Sequence, residues 1–197
     1  MARSTTAPAR RAHIVQATIA CLAEHGPVGT TIARIAERAE VSRGIIHYYF
    51  ASKESLIVAA LEKIATDRVF DIERRARRAK GARASLRAVI AAALDQSPPR
   101  ADYGRVRLAL WSTGYKNPAL RELTEQYYRC LRAMLARIIS AGILEGSLRQ
   151  GDVEQIATAL AAMIEGLHLQ AVICDDKADV EHFADAANEV VRGLWSE

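Results

Sequence analysis

The residues that invite a chemical reading cluster in the stretch TIARIAERAEVSRGIIHYYFASKESL, Thr31 to Leu56. Arg43 can bind a guanine edge through two parallel hydrogen bonds, and Ile45 can touch a thymine methyl. Gly44 carries no Cβ and so lets the backbone come close to another surface. Thr31, Tyr48 and Tyr49 have hydroxyls that can donate to phosphates, a contact that positions a protein without reading sequence. Lys53 falls in the first turn of a helix, where its ammonium and the helix N–H groups can face one phosphate together. Ser42 and His47 share the same short segment and divide with these residues between groove, phosphates and core. Two readings stand for Tyr48 and Tyr49, packing on the next helix or contact with DNA. Arg34 is either a DNA contact or a solvated arginine.

A second, looser set lies further along. Tyr103, Trp111, Tyr115, Tyr127, Cys130, Met134, Met163 and His168 can line a ligand pocket between helices, or be plain core. Tyr and Trp side chains near Glu165 can cage a quaternary ammonium through cation–π contacts. Glu165 and His168, three apart, share a helix face and read as a metal-binding pair, a cation-binding pair, or a satisfied interface or core polar pair. The run Arg74 to Lys80 faces several directions at helical spacing and reads as a solvated helix end. Cys21, Cys130 and Cys174 form no CxxC and read as small buried hydrophobes. No catalytic motif (HExxH, GxSxG, phosphate loop) is present, so neither an enzyme nor a metal or cofactor is expected.

These residues need elements to hold them. Period-2 alternation is missing, Ala, Leu, Arg and Glu abound, and the few prolines fall between periodic segments, so the class is all-α. The spacing predicts nine helices: Pro8–His25, Thr31–Ala39, Ser42–Tyr49, one after Ser52 to Ala79, Ala84–Gln96, Asp102–Tyr115, Asn117–Ala141, Asp152–Cys174 and Asp179–Trp195. Thr31, Ser42, Asn117, Asp152 and Asp179 are their expected N-caps. The second and third helices, joined by a three- or four-residue turn, have the shape of a helix-turn-helix.

Whole-chain quantities agree. The 197 residues suit one or two small domains, and half apolar with a quarter charged is an ordinary globular balance. Residues 1–80 hold 14 Lys and Arg against 8 Asp and Glu, while the remainder holds 13 against 15. A basic N-terminal part on a mildly acidic body suits a nucleic-acid reader. No uninterrupted apolar run reaches 18 residues and the first residues lack the apolar core of a signal peptide, so a cytoplasmic protein without a membrane partner is expected.

The segment Ala39 to Leu56 resembles the N-terminal domain of TetR-type transcriptional regulators, usually close to A-G-V-S-x-G-x-L-Y-x-Y-F-x-S-K-E-x-L. Ala39, Val41, Ser42, Gly44, Tyr49, Phe50, Ser52, Lys53, Glu54 and Leu56 match it. Glu40 stands where that pattern has glycine, so either a left-handed turn residue there is strained or the turn differs. His47 stands where it has tyrosine. Met163 to Ala171 looks like the I-D-G-L segment of choline-responsive (BetI-type) regulators. The resemblance implies a nine-helix TetR-like fold, with a DNA-binding domain over 1–52 and an effector-binding, dimerising domain over 53–197. It also implies a homodimer on a double-stranded, near-palindromic operator, released by a small-molecule effector that the sequence does not name. Leu160, Ile164, Leu167 and Val172 are the expected dimer-interface residues. Two alternatives remain at this point: a regulator answering a protein partner or no ligand, and a helical enzyme with a vestigial DNA domain.

Overall fold

The computed structural model describes residues 6–95, 97, 102–108, 117–174 and 177–196, side chains excepted at 174 and 177–180. The helices are α1 (Ala7–Gly29), α2 (Ile32–Arg38), α3 (Arg43–Tyr49), α4 (Lys53–Arg78) and α5 (Ala82–Leu94). A helical stretch over 102–108, α6, follows. The chain then forms α7 (Pro118–Leu144), α8 (Val153–Cys174) and α9 (Lys177–Arg192). Among the described residues the one β pairing is an isolated antiparallel bridge between Leu148 and Trp195.

The chain folds as two compact units, Met1–Ile64 with Arg105–Leu123, and Ala65–Gly104 with Thr124–Glu197. In the first unit, α1 buries Ile14, Val15, Ile19, Cys21 and Leu22 on one stripe. The glycine at 26 interrupts α1 with φ 65°, ψ 178°, and one further helical turn through Pro27 carries it to Gly29. The expected stop at Gly26–Pro27 is thus a kink. Thr30, fully buried, ties the kink down by donating from both N–H (3.1 Å) and Oγ1 (2.7 Å) to the Gly26 carbonyl.

The short α2 starts where Thr31 Oγ1 accepts the Arg34 N–H at 3.3 Å. It ends in a Schellman turn: the Val41 N–H reaches the Ala36 carbonyl (3.0 Å) and the Glu40 N–H reaches that of Glu37 (3.1 Å). That turn needs a left-handed residue, and Glu40 supplies it with φ 51°. The glycine of the usual pattern is therefore replaced without changing the turn. Ser42 then caps α3, its Oγ accepting the Ile45 N–H at 3.3 Å.

In the second unit, α5 packs on α8 and α9, and α8 on α9. Leu86, Val89, Ile90 and Leu94 of α5, Leu131, Leu135 and Ile139 of α7, Ala157, Leu160 and Ile164 of α8, and Ala187 and Val191 of α9 share one core. Helix α7 starts at the expected Asn117 cap, whose Oδ1 accepts the Ala119 N–H at 3.0 Å. It runs past Ala141 because Gly142 packs into the core, where a Cβ would come within 2.6 Å of Ala82 Cβ. A second Schellman turn ends it, with Gly146 at φ 71° in the left-handed position. Asp152 caps α8 as expected, accepting from the Glu154 (3.0 Å) and Gln155 (3.1 Å) N–H groups. Helix α9 begins at Lys177, two residues before the expected cap Asp179, and stops at Arg192. The residues after it leave the helix because the Arg149 N–H takes the Leu194 carbonyl (2.8 Å) and Arg83 holds the Ser147 and Ser196 carbonyls at 2.8 and 2.6 Å.

Helix α8 is the one described helix long and apolar enough to cross a membrane, with a mean hydropathy of 1.6 over Val153–Ile173. Gln155, Thr158, Glu165, His168 and Gln170 divide it into short apolar runs, which hides this property from a count of consecutive residues. Only a third of the qualifying window is buried within the protomer.

Candidate nucleic-acid interface

Helix α3 buries one side and offers the other. Ile46 is fully buried and Phe50, its C-cap, nearly so, against Ile35, Ala36 and Ala39 in the same unit. Ser42, Arg43, Gly44, Ile45, His47 and Tyr48 are all exposed. Residues 43, 44, 47 and 48 recur at helical spacing on one face, wide enough to lie in a major groove. Ile45 is 36% exposed and Tyr48 81%. The two readings for the tyrosines separate here. Tyr48 stands out from the surface, while Tyr49 is half-buried and supports it edge-on, ring centroids 5.0 Å apart.

The exposed hydroxyl of Thr31 accepts within the chain but keeps its proton to donate outward, and Ser42 is alike. Arg34 and Lys53 are engaged internally. Arg34 Nη1 donates to the Gly29 carbonyl at 2.5 Å, and Lys53 Nζ to the Pro27 carbonyl at 2.7 Å. At the start of α4, the Ser52 N–H donates to Ser55 Oγ and the Ser55 N–H to Ser52 Oγ, both at 3.2 Å. The Glu54 carboxyl beside them is held below its ordinary value by its own backbone N–H and by the Ser52 hydroxyl.

The second unit holds a separate polar cluster. Tyr127 donates to Glu165 Oε1 at 2.9 Å, and Tyr128 to Oε2 at 3.5 Å. One turn on, Arg68 and His168 are both buried, with Arg68 Nη2 at 3.0 Å from His168 Nδ1 and also bonded to the Ala93 carbonyl. A guanidinium can only donate, so His168 accepts at Nδ1 and its proton sits on Nε2. Tyr103 donates to Asp67 Oδ2 at 3.1 Å. Of the expected pocket residues, Tyr103, Tyr127, Met134 and His168 are buried and Met163 is half-buried. Met134 belongs to the hydrophobic core itself. Cys130 is exposed, which corrects its reading as a buried hydrophobe: it lies between Arg129 and Leu131 on α7, and only Leu131 turns to the core. Trp111 and Tyr115 lie outside the described residues. Sequence reasoning missed Arg68 and Tyr128; a lone arginine in the apolar stripe of α4 was the available signal for the first. Among the described residues, no group of three or more His, Cys, Asp or Glu is placed to hold a metal ion.

The expected interface residues divide. Leu160 and Ile164 are 5% and 1% exposed and belong to the protomer's own core. Leu167 and Val172 are half-buried. The side of α8 left open carries Ala159, Ala162 and Ile173, and α9 adds Ala186 and Val190. Hydropathy marks both faces of α8 as apolar and does not say which one is filled from within the protomer.

A braced two-helix reader in one unit and a helical bundle with its own core in the other define a helix-turn-helix DNA-binding protein with a second, effector-type unit. Residues 14–60 match the model for bacterial regulatory proteins of the tetR family, and residues 82–196 that for the C-terminal part of BetI-type transcriptional repressors. The HTH-type transcriptional regulator BetI of Burkholderia mallei is 32% identical over 94% of this chain and 93% of its own. That of Paraburkholderia phymatum is 34% identical over 92% and 91%. Among solved structures, a TetR transcription regulator from Haloarcula marismortui is 28% identical, covering 95% of this chain and 98% of its own, with a TM-score of 0.86. A protein of Saccharomonospora viridis described as a transcriptional regulator, in complex with choline, shares the fold at 24% identity, a TM-score of 0.87 and the same coverage. The chain belongs to the TetR family of transcriptional regulators, with a C-terminal part of the BetI type.

Proposed function

We propose that this chain represses transcription as a cytoplasmic homodimer, that α3 of each copy reads one half of a near-palindromic operator, and that a small organic cation releases it. The observation that carries the reading is the α3 face: five of its residues, 43–45, 47 and 48, are exposed, one of them a tyrosine 81% exposed, on a helix capped at Ser42 and anchored by Ile46. Against DNA, the Tyr48 hydroxyl can donate to a phosphate and the Ile45 side chain can touch a thymine methyl. Two such helices related by a dimer two-fold reach half-sites about 34 Å apart, or a multiple of that. The open apolar side of α8 with α9 is the surface proposed to pair with its copy.

The effector is proposed to be a quaternary ammonium bound at Glu165, whose carboxylate two tyrosine hydroxyls orient. Tyrosine faces and one carboxylate are the groups such a cation selects. The choline found in the Saccharomonospora protein makes choline the first compound to try. The cation acts only if it binds the DNA-competent and released states differently. Helix α4 contributes residues to both units and is the proposed covalent route between them.

The test is a fluorescence-anisotropy titration of the chain against DNA upstream of its own gene at two salt concentrations. Specific binding that weakens steeply with salt and is lost in Arg43→Ala with Tyr48→Ala is the expected result. Binding no tighter than to random duplex, followed by an empty selection from a random pool, overturns it. Choline is expected to raise the dissociation constant of the wild type and to leave that of Glu165→Gln unchanged. An equal response in both removes Glu165 from the effector site and leaves DNA recognition standing.

A further inference from the structure

Arg68 is a buried arginine on α4, in a turn whose hydrogen bonds reach three other helices. Its Nη2 donates to the Ala93 carbonyl, in the last turn of α5, and to His168 Nδ1 of α8 at 3.0 Å. The neighbouring Asp67 accepts from Tyr103 of α6 at 3.1 Å. A buried guanidinium is costly to leave without acceptors, so Arg68 and the groups that hold it move together. His168 has little room to swing aside and absorb a shift of α8. Gly104 of α6 lies so near that a Cβ there would come 3.3 Å from His168 Nε2 and 2.6 Å from Val172 Cγ2. A bond of 3.0 Å is lost once it lengthens by roughly 0.5 Å. Glu165, one turn before His168, lies on the same side of α8, the two Cβ atoms about 5–6 Å apart. Its carboxylate is held by Tyr127 and Tyr128 of α7 at 2.9 and 3.5 Å.

We propose that Arg68 is the positioning residue that passes effector occupancy to α4, through its hydrogen bond to His168 of α8. This rests on the effector reading above, a quaternary ammonium at Glu165. A cation packed on the tyrosine faces beside that carboxylate needs room between α7 and α8. As α8 gives way, His168 travels with it, and Arg68 follows because its charge is buried. Helix α4 is continuous from Lys53 to Arg78, and Arg68 lies about 22 Å along it from Lys53. Each degree of tilt at Arg68 therefore displaces the first turn of α4, which follows α3 in the chain, by about 0.4 Å. In this role Arg68 touches neither DNA nor effector. It sets how strongly each site responds to the other, a coupling that is the same read from either side.

The full-length chain, wild type and Arg68→Met, is titrated against an operator duplex selected from random sequences, with and without saturating choline chloride at constant ionic strength. Choline affinity without DNA is measured by calorimetry. Methionine keeps a long stem and removes the charge and the donors. In the wild type, choline is expected to weaken operator binding by about fivefold or more. In Arg68→Met, operator affinity without choline and choline affinity without DNA stay within about threefold of wild type, while choline weakens operator binding less than about twofold. An undiminished response to choline in Arg68→Met overturns the proposal. Loss of choline binding overturns it too, since Arg68 then belongs to the binding site or to the fold. So does loss of operator binding in the absence of choline. A second reading uses the wild type alone and stands should Arg68→Met not fold. With nitrogen-15 in its histidines, His168 is expected to show the Nε2–H tautomer, and its Nδ1 resonance to move when choline is added. An Nδ1 resonance that choline leaves in place overturns the proposal. A wild-type chain that binds the operator and ignores choline brings down the effector reading and this proposal with it, an outcome seen before any variant is measured.

Discussion

Glu40 is the residue whose chemistry and conformation disagree most. It takes the left-handed position of a Schellman turn that the same chain builds elsewhere around Gly146. A side chain with a Cβ pays steric strain there, of order 1–2 kcal/mol, which the extra backbone freedom of glycine in the unfolded chain partly offsets. Glu40→Gly is therefore expected to stabilise the protein by about 1 kcal/mol, read as a higher denaturant midpoint at unchanged slope. It also removes an exposed negative charge from the turn before α3, so DNA binding should tighten at low salt. Ile45 permits a test at the level of one methyl group. Replacing individual operator thymines by deoxyuridine should weaken binding about three- to fourfold at the position Ile45 touches, the worth of one buried methyl. Ile45→Ala should abolish that sensitivity. An operator indifferent to every such replacement removes Ile45 from base reading.

At the scale of elements, α4 and α7 are joined in the second unit by Glu73, which accepts from Arg77 (2.8 Å) and from Arg137 of α7 (3.0 Å). The Arg77 and Arg137 guanidiniums hold its carboxyl below the ordinary 4.5. A carboxyl lowered on folding contributes stability above its unfolded value and loses it as the pH falls through the lowered one. Wild type should thus exceed Glu73→Gln in stability at neutral pH, and the gap should close below about pH 4.5. The gap should be small, since Arg77 and Arg137 are more than half exposed and solvent screens them. Thermal unfolding of both proteins across that range checks it; a gap that persists in acid refutes it.

At the scale of the molecule, α8 has an inner side that is spent and an outer side that is open. The proposed dimer predicts opposite behaviour for two substitutions a half-turn apart. Ala162→Asp, on the exposed side, should yield a folded monomer by sedimentation and lose operator binding at concentrations where wild type binds. Leu160→Ala, in the core, should cost about 2–5 kcal/mol of stability while the surviving folded protein stays dimeric. A dimeric Ala162→Asp would move the interface elsewhere.

The helical class, the caps at Thr31, Ser42, Asn117 and Asp152, and the two-helix reader were legible in the sequence, because periodicity and capping act over three or four neighbouring residues. So was the resemblance that the comparisons bear out. What tertiary structure alone decided depends on partners far away in the chain. Lys53 and Arg34 read as outward cations until the carbonyls of Pro27 and Gly29 are seen beside them. Tyr127 and Glu165 meet across 38 residues, and Arg68 and His168 across 100. Leu160 and Ile164 look like any apolar stripe until α5 and α9 are seen to fill it from within. A local pattern specifies which residues turn to the same side of a helix; only packing specifies what waits on that side.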